Sequence, residues 1–273
     1  MGTLYLVATP IGNFEDMTLR GLRVLREAPL VAAEDTRSAR RLLDHFQIPG
    51  GRLTSYNEHN KMARLPALLA ALDEGDVAVV SDAGMPGISD PGHDLVVAAI
   101  AAGHTVVPIP GASAVLGAVA ASGLPSRRFH YLGFLPRQGG PRRTALRAAA
   151  ASGDTLVVFE SPHRLLATLD DARTALGDRQ VVVCRELTKL YEEIWRGTIT
   201  NAIAHFAAPR GEFTLVIEGG AASGTDGDAA VADVATTVRE LRASGVSSKD
   251  GIAAVVQRCR ISRRDAYRAW HES

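Results

Sequence analysis

Cysteine is scarce in this chain of 273 residues: only Cys184 and Cys259 are present. They are far apart and belong to no Cys-x-x-Cys pair or Cys/His cluster, which excludes a disulfide framework and argues against a metal site. Two such thiols fit a reducing cytoplasm. Long apolar runs are missing too, since none approaches the roughly 18 residues of a membrane span. The opening MGTLYLVATPIG lacks the charged and apolar regions of a secretory signal. Leu6 stands where a myristoylation site needs Ser or Thr, so the expectation is a soluble, cytoplasmic protein. Net charge is absent, with 30 Lys and Arg against 30 Asp and Glu. No global field advertises a nucleic-acid partner, and any basic footprint must be local. Neither a Gly-x-Gly-x-x-Gly fingerprint nor a Gly-x-x-x-x-Gly-Lys-Ser/Thr loop occurs, which disfavours a polyphosphate ligand.

What the sequence does have is rhythm. Short apolar runs (LYLVA, PLVAAE, RLTSY, VAVVS, TVVPIP) alternate with amphipathic stretches at 18–28, 36–46, 59–74 and 93–102. Strands interleaved with helices of this length predict βαβ units and a five-stranded, mostly parallel sheet. A further helix at 113–122 closes the unit, and Gly123 and Pro125 break the rhythm there. The domains expected are therefore 1–122, 123–221, and a linker with helical tail over 222–273. In the second domain FHYLGF, TLVVFES, QVVVCREL, LYEEIWRGTI and EFTLVIEG read as strands, with helices at 141–151, 162–176 and 201–206. Its last three strands have little helix between them, so a mixed sheet is expected. GGAASGTDGD, residues 219–228, reads as a linker.

Three strand-to-loop transitions of the first domain share one punctuation: VATPIGN (7–13), SDAGMPG (81–87) and PIPGASA (108–114). Glycine lets backbone approach a ligand closely, and proline stiffens the approach. If strands one, four and five are neighbours, these loops converge on one crevice beyond the carboxyl ends of the sheet. Asp82 adds a carboxylate for a cationic centre. S-adenosylmethionine, with its ammonium and sulfonium, fits such a crevice better than NAD or ATP.

LYLVATPIGNFEDMTLRGLRVLREAPLVAAEDTRSARRLL, VVSDAGMPGISDPG, VVPIPGASAVLGAVAASGLPSRRFHYLGFLP, FESPHRLL and CRELTKLYEEIWRG together resemble the small-subunit ribosomal RNA 2′-O-ribose cytidine methyltransferases of the tetrapyrrole methylase fold. The likeness runs from Leu4 to about Glu218. It implies a class III S-adenosylmethionine-dependent enzyme with two α/β domains, usually a homodimer, without a metal, acting on a decoding-centre cytidine of 16S ribosomal RNA in the 30S subunit. By the same likeness the cofactor residues are Pro10 and Gly12; Ser81, Asp82, Gly84 and Pro86; and Gly111, Ser113 and Ala114. The second domain adds Phe159, Glu160, Ser161, Leu187 and Thr188. Met85 and Gly87 stand where Thr and a bulkier residue are expected. ATPIGN replaces the Gly-x-Gly-Pro-Gly opening of tetrapyrrole-modifying members, which favours the RNA branch.

Candidate bases at strand ends are Glu34 and Asp35, Glu58 and His59, and Glu186 and Lys189; Glu34, Asp35 and Lys189 are taken as catalytic. Against this, Asp35 and Arg37 make an equally good structural ion pair, His59 suits a helix start, and Lys189 suits solvent. Residues 126–147 hold six arginines and no acid. Arg137, Arg142 and Arg143, with Arg37, are the expected RNA contacts, while Phe129 and Phe134 are expected in the core. The tail has capping signatures at Ser247–Asp250 and Ser262–Asp265. These open either a helix-turn-helix carrying Arg263, Arg264 and Arg268, or a hairpin packed through Tyr267 and Trp270. Two other functions stay open: methylation of a tetrapyrrole-type small molecule, and a non-enzymatic nucleic-acid-binding regulator with a metabolite-sensing body.

Overall fold

The computed structural model describes residues 1–49, 52–88, 90–220, 227–259, 261 and 263–272. They divide into two compact units, one of residues 1–149 and 155–218, the other of 150–154 and 219–273. Both sheets belong to the first unit.

The first sheet comprises β1 (Thr3–Val7), β2 (Leu30–Ala33), β3 (Arg52–Ser55), β4 (Val77–Val80) and β5 (Thr105–Ile109) in the order β3-β2-β4-β1-β5. Every pairing is parallel, so the expected neighbours one, four and five do lie side by side. The central strand β4 is buried throughout. Its side chains alternate: Ala78 and Val80 pack with Val24, Leu25, Leu42 and Leu43, and Val77 and Val79 pack with Leu68, Leu72 and Leu95. Helices α1 (Leu19–Glu27) and α2 (Thr36–His45) therefore cover one face, and α3 (Lys61–Glu74) and α4 (Gly92–Ala101) the other. This is the doubly wound arrangement that period-two burial on both faces requires. Pro108, which has no N–H to donate, sits in the edge strand β5, the place a sheet tolerates it. Side chains start the helices: Thr18 Oγ1 accepts from the Gly21 amide, Asp35 from Arg37, and Ser113 from Leu116 at the start of α5 (Ala114–Ser122). A short 3₁₀ turn at Phe14–Asp16 follows β1.

The second sheet contains β6 (Phe129–Phe134), β7 (Thr155–Glu160), β8 (Gln180–Arg185), β9 (Glu193–Thr198) and β10 (Phe213–Ile217), ordered β6-β7-β10-β8-β9. Only β6 and β7 run parallel, so the sheet is mixed. Helices α6 (Gly139–Ala150), α7 (Leu165–Leu176) and α8 (Ile199–His205) accompany it.

The second unit has its own three-helix core. Helices α9 (Gly227–Ala243), α10 (Ser248–Cys259) and α11 (Arg263–Glu272) bury Val234, Val238, Leu241, Ile252, Val255, Ala266 and Trp270 together. A Cβ on Gly251 would come within 2.2 Å of the Trp270 ring, so glycine there makes room for the indole. Trp270 is thus buried in the tail's own core, whereas Tyr267 is exposed. Ser247 caps α10, accepting from the Asp250 amide at 3.2 Å. Ser262, the second predicted cap, and residues 221–226 of the predicted linker lie outside the described residues, while Gly227 and Asp228 already belong to α9.

Candidate active site

A cavity of about 460 Å³ opens between the two sheets of the first unit, within the range of small-molecule sites. The first sheet contributes the ends of its parallel strands. Glu34 follows β2, Ser81, Asp82, Ala83 and Gly84 follow β4, Ile11 follows β1, and Ser113 and Ala114 follow β5. From the second sheet comes a cross-strand row in register, Phe134 on β6, Phe159 on β7, Thr214 on β10 and Cys184 on β8. A bulge between Tyr131 and Phe134 shifts the β6 register, with Gly133 at φ 61°. That extra residue re-aims the strand end and brings Phe134 to the cavity wall. Phe134, expected in the core, is largely exposed there and meets Phe159 edge-on.

Backbone hydrogen bonds tie the loops together. Thr9 and Gly84 exchange a reciprocal pair at 2.9 and 3.0 Å, with Gly84 at φ 79°, a conformation glycine adopts at little cost. Gly12 touches the other half of the site: a Cβ there would fall 2.4 Å from Lys189 Cγ and 2.9 Å from Thr188 Oγ1. The facing turn is strained, since Glu186 and Thr188 both have positive φ. It is held by Lys189 Nζ, which donates to Glu186 Oε1 at 2.9 Å and Glu212 Oε2 at 2.8 Å.

Of the five carboxylates on the cavity wall, Glu160 and Glu212 come with the second sheet and three, Glu34, Asp82 and Asp90, with the first. The pKa of each of these three is raised, chiefly by burial; for Glu34 the neighbouring Asp82, Asp90 and Asp35 add to the rise, and for Asp82 so does Asp35. The Asp82 amide donates to Glu34 Oε2 at 3.2 Å, and Asp90 Oδ1 accepts from the amides of Gly87 and Gly92. Apolar walls around crowded anions make a site for a ligand that is partly apolar and positively charged. A methyl donor carrying a sulfonium and an ammonium matches that donor set. Among the described residues no three His, Cys, Asp or Glu side chains are arranged to hold a metal ion, and no helix is long and apolar enough to cross a membrane.

Of the expected cofactor residues, Ser81, Asp82, Gly84, Ser113, Ala114, Phe159, Glu160, Ser161 and Leu187 line the cavity. Pro86 instead lines a water-sized hollow of about 10 Å³ beside Tyr56. Pro10, Gly12, Gly111 and Thr188 do not line the cavity; at Gly111 a Cβ would meet that of Ala8 at 2.9 Å. Glu160 is buried, accepting from the Ser161 amide and Thr168 Oγ1. Asp90, Thr214 and Glu212 join the site without a sequence signal beyond their place at strand ends and in the Gly/Pro loop.

The expected catalytic residues separate. Glu34 faces the cavity. Asp35 caps α2 and is held by hydrogen bonds from Arg37 at a pKa of about 2, so the ion-pair alternative describes it. Burial alone would lower the Lys189 pKa, but hydrogen bonds from its ammonium to Glu212 and Glu186 outweigh that and raise it. Glu58 and His59 are exposed, and Glu58 pairs with Lys61. Among the expected RNA contacts, Arg137 is exposed and Arg143 half-buried on Asp171 Oδ1 at 2.6 Å. Arg142 corrects the sequence reading: it is buried, with Nη2 and Nε 2.5 and 2.7 Å from Asp171 Oδ2 and Nη1 on the carbonyls of Pro136 and Arg137. Buried and bound on all three nitrogens inside the protein, its guanidinium is not presented to a phosphate.

Residues 3–203 match the family model of the tetrapyrrole (corrin/porphyrin) methylases. The chain is 48% identical to the ribosomal RNA small subunit methyltransferase I of Halalkalibacterium halodurans, over 99% of this chain and 95% of that one. The protein of the same name from Thermotoga maritima is 48% identical over 222 residues, which span 80% of this chain and 99% of the relative. Among solved structures, the uroporphyrin-III C-methyl transferase of Thermus thermophilus, complexed with S-adenyl homocysteine, superposes with a TM-score of 0.59 at 20% identity, covering 80% of this chain and 97% of that one.

Proposed function

This chain belongs to the tetrapyrrole methylase family, and from that premise we propose that it methylates the 2′-hydroxyl of a decoding-centre cytidine in 16S ribosomal RNA, using S-adenosylmethionine. One observation carries the reading: the cavity joins apolar walls to a cluster of carboxylates with raised pKa values. The relatives' name supplies the ribosomal RNA, and the ATPIGN opening favours RNA over a tetrapyrrole. When bound, the cofactor supplies an electrophilic methyl carbon on a positively charged sulfur.

Asp82 and Asp90 hold the cationic part of the cofactor by charge. Ser81, Gly84, Ser113 and Ala114 would offer backbone and small side chains to its polar groups, and Phe159 and Leu187 would supply apolar contact. Glu34 accepts the proton of the ribose hydroxyl, because a carboxylate raised by burial is a better base than one left at its ordinary value. Such a base contributes about 10²- to 10⁴-fold, while alignment of the reacting groups supplies up to roughly 7–11 kcal/mol of the barrier. Lys189, held by two carboxylates, acts as a clasp that positions the Glu186–Glu192 turn against Gly12. Arg37, Arg137 and Arg143 meet RNA phosphates outside the cavity. The assembly proposed is a cytoplasmic homodimer acting on the 30S subunit, whose folded surface supplies the docking that a neutral protein cannot obtain from charge alone.

The test is to offer labelled S-adenosylmethionine with 30S subunits, free 16S RNA and a tetrapyrrole precursor. Label in the RNA, greatest with intact subunits, is the expected result. Label confined to the tetrapyrrole, or cofactor binding without transfer, overturns the proposal.

A further inference from the structure

The outer face of α2 carries charge that the cavity does not use. The helix begins two residues after Glu34 and turns Ala39, Leu42 and Leu43 into the core. Facing outward are Arg37, Arg40 and Arg41, then Asp44 and His45. Positions 37, 40 and 41 are spaced as neighbours along one stripe. Asp35 holds Arg37 at 2.6 Å. Arg41 Nη2 reaches only Ser38 Oγ at 3.2 Å, and among the described residues neither it nor Arg40 meets a carboxylate. Arg37 and Arg41 nevertheless lie close enough to Asp82 to pull on its carboxyl, so the stripe starts at the cavity rim.

Its far end carries an aromatic plate. The His45 ring lies nearly parallel to that of Phe14, centroids 4.3 Å apart and planes at 25°, and the Phe46 ring meets Phe14 edge-on at 6.1 Å. Phe14 is 41% exposed and lies three residues past Ile11 of the cavity wall. The nearby acids are Glu15 and Asp16 beside Phe14, and Asp44 on the helix. Guanidinium groups without carboxylate partners, leading from a cavity to an exposed ring, offer what a single RNA strand presents: phosphates for the arginines and a base face for the plate. An acidic peptide would engage the arginines and leave the ring unused.

We propose that α2 and Phe14 form the docking track for the RNA strand flanking the methylated nucleotide, with Arg40 and Arg41 on its phosphates and the Phe14–His45 stack on a flanking base. The inference rests on the RNA reading of the cavity. The full-length wild type is first tested for methyl transfer to 16S RNA in 30S subunits; its failure sinks that reading and the track with it. In an active background, Arg40→Gln/Arg41→Gln should raise KM for 30S roughly tenfold and flatten the log–log salt dependence of binding to a 16S fragment by about 1.4, for two single-strand phosphate contacts. Arg40→Lys/Arg41→Lys should restore the slope, because the charge is kept. Phe14→Ala should weaken binding roughly tenfold at an unchanged slope, and Phe14→Tyr should not. A cooperative urea unfolding transition at the wild-type midpoint shows that each variant is folded. Wild-type KM and slope in the arginine variant, or wild-type binding by Phe14→Ala, overturns the track and leaves the methyltransferase reading standing.

Discussion

At Glu34 and Asp82, burial first and repulsion from neighbouring carboxylates second keep carboxyl pKa values above their ordinary 4.5 and 3.8. A cationic cofactor stabilises the ionised forms, so binding must lower both pKa values and release protons. Affinity should therefore rise with pH until it passes the raised values of the free protein, and fall as acid protonates the pair. Calorimetry at mildly acid pH in two buffers of different ionisation enthalpy should show that release; proton uptake would contradict the assignment. Glu34→Gln keeps the shape and removes the base, so single-turnover methyl transfer should drop by about 10²- to 10⁴-fold with cofactor affinity changed far less. An unaltered rate would free Glu34 of that role. Asp82 was legible in the sequence because it sits in a Gly/Pro loop after an apolar strand. The choice between Glu34 and Asp35 was not, since adjacent acids look alike until a fold turns one to a cavity and gives the other to Arg37. Arg142 misled for the same reason: an arginine run does not say which member will find a buried partner such as Asp171.

Strands and helices of the first unit were readable because alternating apolar runs and amphipathic stretches have only one economical arrangement, a doubly wound parallel sheet. Less readable were the details fixed by packing between loops. Gly12 and Gly84 illustrate two distinct needs. At Gly84 a Cβ has room, its nearest neighbours being 3.7 Å away, but φ is 79°. Gly84→Ala should cost about 1 kcal/mol in urea unfolding through backbone conformation alone. At Gly12 the obstacle is steric: Gly12→Val should push the Thr188–Lys189 turn away and weaken cofactor binding more than stability. Equal cofactor affinity in wild type and variant would dissociate that turn from the site. Removing Arg142 strips Asp171 Oδ2 of its partner and leaves the carboxylate to Arg143 alone, on Oδ1. Arg142→Ala should lose about 1.5–3 kcal/mol of stability, the worth of hydrogen bonds to a charged group, visible as a lower denaturation midpoint before any RNA is added.

Over the whole molecule, the catalytic proposal needs only the unit that contains both sheets, and the Thermotoga maritima relative aligns along nearly its full length with four-fifths of this chain. The two-sheet plan and the helical tail were both evident from rhythm and punctuation. The self-contained core around Trp270 was not, because an amphipathic helix does not announce which neighbour will cover it. A chain ending at Glu218 should bind S-adenosylmethionine as the full chain does; loss of binding by a folded truncation would make the tail part of the cofactor site. The central claim concerns the atom that receives the methyl group. Labelled 16S RNA from the 30S reaction, digested to nucleosides and separated, decides it: the account predicts label in 2′-O-methylcytidine from one decoding-centre position, and label on a base, or on a ribose other than that cytidine's, would contradict it.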